Sequence, residues 1–244
     1  MRLETPWRLD KVLQFGTLLC ACFLITASVA GLLYHNRVAG FQHPDDFGQI
    51  LIATLSFHGP ILVMIPFFLR QHHVSWREAF GIGPGLKQTF KLAFLVFIAV
   101  LPVAITVQII CVKVIEALGG HPTEQAAVTL MSDAKSVSTQ VYLAFFAIVV
   151  APVAEEFVFR GVLFPVLRQL GFRRFAWFGV SALFALIHVN LPSFVPLFVL
   201  ALALTWLYEK TDRLLAPIIM HVLFNTFGVI MVFLQPSGAP PPGQ

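Results

Sequence analysis

The chain has 244 residues, of which 58% are apolar and 11% are charged, and its formal net charge at pH 7 is +4. Soluble domains carry about 25% charged residues, so this chain could not cover a water-facing surface. The composition excludes a soluble enzyme, a secreted disulfide scaffold and a disordered chain, and it indicates an all-α, polytopic transmembrane helical bundle. The basic excess does not indicate a nucleic-acid partner, because Lys and Arg mark the cytoplasmic loops of membrane proteins.

Seven apolar runs predict about seven spans in the lipid bilayer. They cover residues 13–33, 50–69, 89–115, 140–170, 175–189, 193–208 and 214–234. The first run could pass for a signal peptide ending at Ala30, but it continues to Leu33, which favours a retained span. The second contains His58-Gly59-Pro60, which predicts a kink. The His58 ring is predicted only to bond a backbone carbonyl that the kink leaves without its helical partner. Residues 75–80 are predicted to lie along the membrane interface, and residues 116–139 form the longest polar loop.

The second half of the chain carries polar residues inside its apolar runs. The fourth run has Glu155, Glu156 and Arg160 in its middle. The fifth and sixth runs are short, and the uncharged turn Asn190-Leu191-Pro192 between them is predicted to dip into the membrane within the protein. We therefore divide the chain into an N-terminal three-span region over 1–139, a four-helix catalytic core over 140–235 and a disordered proline-rich tail over 236–244.

Basic residues alternate between the loops. The rich set comprises Arg2, Arg8, Lys11, Arg70, Arg77, Lys87, Lys91, Arg168, Arg173, Arg174, Lys210 and Arg213, and the poor set comprises Arg37, Lys113 and Lys135. Cytoplasmic loops carry the excess of Lys and Arg. The pattern predicts a multi-pass protein with its N-terminus cytoplasmic and its C-terminus outside. The short loops between the seven spans favour a bacterial inner membrane.

Ionisable residues within spans are costly and are candidates for function. Glu156 and Arg160 are four residues apart, so they share a helix face and are predicted to form a structural ion pair. Glu155 is rotated by about 100° from Glu156 and has no cation one turn away on its helix. We therefore interpret Glu155 as a free carboxylate suited to general acid–base catalysis.

Two histidines and an amide complete the candidate site. His188 ends an apolar helix, with Phe184 one turn before it, and His221 and Asn225 project from one face of the last span. Together with Glu155, these groups can activate a water and stabilise an oxyanion, in a cavity within the membrane. As an alternative, Glu155, His188 and His221 supply three ligands for a catalytic zinc, although we favour a site without a cofactor.

Three motifs resemble those of one family. Residues 155–161 (EEFVFRG) resemble the EExxxR motif of CPBP intramembrane proteases, also called the Abi or CAAX-protease family, which includes the Ras-converting-enzyme-type CAAX prenyl protease. Residues 184–188 (FALIH) resemble its FxxxH motif, and residues 221–225 (HVLFN) its HxxxN motif. The resemblance covers about residues 140–234.

The resemblance implies an intramembrane endopeptidase that cleaves a membrane-associated protein or peptide, including a CAAX-type prenylated one. Glu155 and His188 would activate water, His221 and Asn225 would bind the oxyanion, and Glu156, Arg160 and Phe184 would support them. The family has been described both as glutamate proteases and as metalloproteases. Two alternatives stay open: a non-catalytic immunity or scaffold protein, and a proton-coupled transporter, which the lack of internal repeats disfavours.

Overall fold

A computed structural model describes residues 7–43, 46–134 and 136–234, and these residues form helices and no strand. The predicted disordered tail 236–244, together with Arg2 and Lys135, lies outside the described residues. The helices are α1 (Leu9–His35), α2 (Phe47–Gln71), α3 (Trp76–Phe80), α4 (Leu86–Ala117), α5 (Ala126–Asp133), α6 (Val137–Gln169), α7 (Arg173–Leu186), α8 (Leu191–Thr211) and α9 (Leu215–Leu234). The prediction of an all-α polytopic bundle is confirmed.

Six helices in the described ranges are long and apolar enough to cross a membrane, one fewer than the seven spans predicted. The difference is α7, which has 14 residues and a length of about 21 Å, against a hydrocarbon core of about 30 Å. The chain turns early because Asn190 caps the next helix, its Oδ1 accepting the Ser193 N–H at 3.1 Å.

Side-chain contacts nevertheless show that α7 runs from one end of the bundle to the other. At the first end, which we call the basic end, Arg168 and Arg173 pair with Glu209. At the opposite end, Asn190 Nδ2 donates to the carbonyl oxygens of Thr123 and Glu124 in the loop after α4. The short helix therefore connects the same two ends as its longer neighbours.

Helix α6 runs through the centre of the bundle and departs twice from α-helical geometry. Residues Phe146–Val150 and Phe157–Leu163 are π-helical, a rare geometry that often occurs at functional sites. Each π segment lies just before a proline, Pro152 or Pro165. A proline lacks the N–H that the helix needs, and its ring clashes with the carbonyl four residues earlier. A wider turn relieves that clash.

Each proline also leaves a carbonyl that needs a donor from another helix, because unpaired buried polar groups are costly. Gly161 lies four residues before Pro165 and receives no N–H from it. Trp7, just before α1, donates its indole Nε1–H to the Gly161 oxygen at 2.8 Å. Gln169, the last residue of α6, in turn donates to the Trp7 carbonyl at 3.0 Å. Trp7 thereby ties the start of α1 to the basic end of α6.

Candidate functional site

A cavity of about 820 Å³ opens between α1, α2, α5, α6, α8 and α9. Most of its lining is apolar. Its carboxylate, imidazole and amide side chains are His58, Gln125, Glu155, His188, His221 and Asn225. The structure thus brings the four predicted catalytic residues to one cavity. Helix α5 closes one side with Ala127, Val128 and Met131, although sequence analysis predicted only a polar loop there.

Glu155 lies between the two π segments of α6 and is 7% exposed. Its Oε1 is 3.1 Å from His58 Nε2 on α2, and its Oε2 is 3.9 Å from His221 Nε2 on α9. The interpretation of Glu155 as a free carboxylate is therefore wrong. Helical spacing identifies partners on the same helix only, whereas this partner comes from another span.

His58 is the residue that sequence analysis missed. Its Nδ1 is 3.1 Å from the Thr54 carbonyl oxygen, one turn earlier. The His58 ring does bond a carbonyl, as expected, but this is not the Ser56 carbonyl, which loses its helical partner to Pro60. The second ring nitrogen, Nε2, contacts Glu155. The signal was present in the sequence, since an ionisable residue inside a span is a functional candidate by default.

Glu156 and Arg160 form the predicted ion pair. The carboxylate Oε1 accepts from Arg160 Nη1 at 2.9 Å, and both side chains are fully buried. Arg160 Nη2 donates to the Ala201 carbonyl at 2.8 Å, and its Nε lies 3.4 Å from Thr205 Oγ1. The pair therefore fastens α6 to α8 behind the cavity wall.

Phe184 packs between this ion pair and the histidines of the site. Its ring lies 4.9 Å from the Arg160 guanidinium carbon. The same ring is 4.9 Å from the His188 ring and 5.7 Å from the His221 ring, measured between centroids. The buried aromatic ring thus contacts both imidazoles, and its supporting role stays a prediction.

His188 lies two residues beyond the end of α7, and the cavity contains its half-buried ring. Its Nδ1 is 2.7 Å from the Phe184 carbonyl oxygen. A carbonyl oxygen only accepts, so the hydrogen of this bond is on Nδ1. In the neutral ring, Nε2 then carries a lone pair that can accept a proton.

His221 and Asn225 share a face of α9 but have different partners. His221 Nδ1 lies 2.9 Å from Glu156 Oε1, which connects the ion pair to the cavity. Asn225 Nδ2 donates to the Ala147 carbonyl at 2.8 Å. That carbonyl needs an outside donor, because the Ala151 N–H bonds Phe146 instead and Pro152 has none. One amide hydrogen of Asn225 thus stabilises the first π segment, and the second is available to another acceptor.

The residues of the alternative zinc set, Glu155, His188 and His221, line the same cavity. No group of three His, Cys, Asp or Glu side chains in the described part of the chain is arranged to hold a metal ion. In the described residues, His221 Nδ1 and Glu155 Oε1 are bonded to Glu156 and His58, whereas His221 Nε2 and Glu155 Oε2 lie 3.9 Å apart. The site without a cofactor and the zinc site at Glu155, His188 and His221 both stay predictions.

Comparison with known proteins matches one family model. Residues 137–227 match the model of the type II CAAX prenyl endopeptidases described as Rce1-like. The match contains all three motifs and the four predicted catalytic residues, but it excludes His58. No solved structure matches the chain significantly.

Three curated bacterial proteins are similar to part of the chain. The putative membrane peptidase YdiL of Bacillus subtilis is 32% identical over 83 residues, and the UPF0177 protein YxdF of Lactococcus lactis is 30% identical over 81. The membrane-embedded CAAX protease MroQ of Staphylococcus aureus is 36% identical over 104 residues. These matches cover 34%, 33% and 38% of this chain and 34%, 44% and 40% of the relatives.

Proposed function

We propose that this integral membrane protein is an intramembrane endopeptidase, because its residues 137–227 match the Rce1-like CAAX prenyl endopeptidase family. Its proposed substrate is a membrane-associated protein or peptide. The observation that carries the proposal is the cavity itself, where one carboxylate, two imidazoles and one amide from three motifs line a space enclosed by apolar side chains.

In the proposed reaction, a water molecule binds on the Oε2 side of Glu155, within reach of His188. Glu155 and His188 remove a proton from the water as its oxygen attacks the substrate carbonyl carbon. The tetrahedral intermediate then collapses, the C–N bond breaks, and the proton passes to the leaving amine. No other reactant is needed, since hydrolysis consumes one water for each peptide bond.

The oxyanion of that intermediate would be stabilised by Asn225 and His221. Asn225 has a second amide hydrogen beyond the one bonded to Ala147. His221 donates Nδ1–H to Glu156, and as an imidazolium it also presents Nε2–H to the cavity. Both groups are buried or half-buried, and preorganised donors are most effective where water is excluded.

The apolar lining supports a substrate with an apolar chain next to the scissile bond. Apart from the polar side chains named above, the lining is built of Leu, Phe, Val, Ala and Met residues together with Ile187, Cys20 and Gly228. A prenylated C-terminal segment, the substrate class in the family's name, is one such chain. We place the N-terminus and the basic end on the cytoplasmic side, by the excess of Lys and Arg there.

The decisive experiment compares purified wild type with Glu155→Gln in proteoliposomes that contain membrane-associated peptides. We expect mass spectrometry to detect new peptide termini only with the wild type, because Gln keeps the shape of Glu but cannot take a proton. Glu209→Gln is the matched control, since Glu209 binds Arg168 and Arg173 outside the cavity. Equal products from wild type and Glu155→Gln would refute the proposal, as would the absence of products with every peptide.

A further inference from the structure

The N-terminal region outside the family match contributes one ionisable side chain that contacts the proposed catalytic carboxylate. His58 Nε2 is 3.1 Å from Glu155 Oε1. We propose that His58 is a positioning residue that donates a hydrogen bond to Oε1 and keeps Oε2 turned toward the water. This inference rests on the proposed function, because it assigns a role relative to Glu155.

The hydrogen-bond partners of His58 determine what its Nε2 can do. Nδ1 bonds the Thr54 carbonyl oxygen, which only accepts, so Nδ1 carries a hydrogen. The Nε2–Oε1 contact then needs one proton between the two atoms, because a bare nitrogen lone pair would repel a carboxylate oxygen. The contact is therefore a hydrogen bond that joins Glu155 Oε1 to His58 on α2.

A second histidine, directly after the same helix, provides an internal comparison. His72, just after the end of α2, also bonds the carbonyl one turn earlier, with Nδ1 2.8 Å from the Phe68 oxygen. Its Nε2, however, accepts the Arg8 backbone N–H at 3.0 Å. The two rings thus have the same bond at Nδ1 and different partners at Nε2. Nε2 of His72 accepts a backbone N–H, whereas Nε2 of His58 faces a carboxylate.

Packing holds the His58 ring in place. Phe146, the first residue of the first π segment, meets the ring edge-to-face, with centroids 5.0 Å apart. Only 16% of the His58 side chain is exposed. The ring is thus confined between α2 and α6, so it can hold the Glu155 carboxylate in one rotamer while Oε2 lies on the side of His221.

Three variants separate this role from simple packing. His58→Phe keeps the ring and removes the donor, and His58→Gln keeps an N–H at similar reach. We expect His58→Phe to lower kcat by about 10- to 100-fold with KM within about twofold, because a misplaced general base slows the reaction without weakening binding. We expect His58→Gln to restore kcat to within about threefold of wild type, and the control His72→Phe to leave it unchanged.

A second measurement does not depend on activity. In protein labelled with ¹⁵N-histidine, the His58 Nε2 resonance should shift in Glu155→Gln, whereas the His72 resonances should not. The inference would be overturned by any of three results: a wild-type kcat in His58→Phe, a loss of kcat in His58→Gln as large as that in His58→Phe, or a His58 Nε2 resonance that does not shift in Glu155→Gln. A shifted resonance in a protein that cleaves nothing would instead refute the proposed function and leave the contact intact.

Discussion

The Nδ1 atom of His221 lies 2.9 Å from Glu156 Oε1, although the two residues are 65 positions apart in the chain. The same oxygen accepts from Arg160. Glu156 therefore belongs to the buried ion pair of α6 and also contacts His221, which lines the cavity. Loss of the Glu156 charge should lower the stability of the fold, because Arg160 and His221 both bond to this one carboxylate.

Glu156→Gln should lower the free energy of unfolding by about 3 kcal/mol, because it leaves the Arg160 charge uncompensated in a fully buried site. Thermal unfolding of the purified protein in detergent measures the change. Glu155→Gln is the matched control and should keep a Tm near that of wild type while losing turnover. If the two variants exchange these effects, the roles assigned to the adjacent glutamates are wrong.

Asn225→Ala should reduce turnover by about 10²–10³ with substrate affinity near normal, because it removes a proposed oxyanion donor. It also leaves the Ala147 carbonyl without its donor, so Tm should fall as well. Thr226→Val is the control: it removes a hydroxyl bonded to Val222 on its own helix and should keep kcat. Full turnover in folded Asn225→Ala would exclude the oxyanion role.

Trp7→Phe tests the second proline of α6 without touching the cavity. The change removes the indole N–H and leaves the buried Gly161 carbonyl unsatisfied, which should cost about 1–3 kcal/mol of stability. Turnover per folded molecule should not change. Trp76→Phe alters a half-exposed tryptophan and should leave Tm unchanged. A Trp7→Phe protein as stable as wild type would show that another group can satisfy Gly161.

Cleavage should persist after chelator treatment, with far less than one zinc per chain by elemental analysis. The reason is the donor set, since the amide of Asn225 beside His221 is a poor zinc ligand and suits an oxyanion site instead. Stoichiometric zinc whose removal stops cleavage and whose return restores it would make Glu155, His188 and His221 metal ligands. The apoprotein and zinc-reconstituted protein should therefore be assayed in parallel.

Orientation can be measured by cysteine labelling of intact cells. In a variant whose three native cysteines are replaced, His121→Cys should react with an impermeant maleimide from outside, and Arg174→Cys should not. Residue 121 precedes the segment that Asn190 contacts, and Arg174 lies at the basic end. A reporter after Gln244 should read as extracytoplasmic. If only Arg174→Cys were labelled, the orientation in the membrane would be the opposite of the one proposed.

Sequence analysis predicted the elements that depend on local periodicity. Hydropathy gave the long helices to within a few residues of their ends, and i,i+4 spacing gave the Glu156–Arg160 pair. Sequence analysis could not predict contacts between distant parts of the chain. Neither the His58–Glu155 contact nor the Asn190 bonds to residues 123 and 124 has a periodic signal, because each depends on how two separate helices pack. The span count differed because a cap residue shortens α7.

The two prolines of α6 also limit how the helix can rearrange. A π turn can migrate along a helix when each N–H transfers from one carbonyl to the next. Pro152 and Pro165 have no N–H to transfer, so neither π segment can move past its proline. The first π segment therefore cannot pass Pro152 to reach Glu155 and Glu156. Any change in the register of these two glutamates has to come from the second π segment, which lies on their side of Pro152.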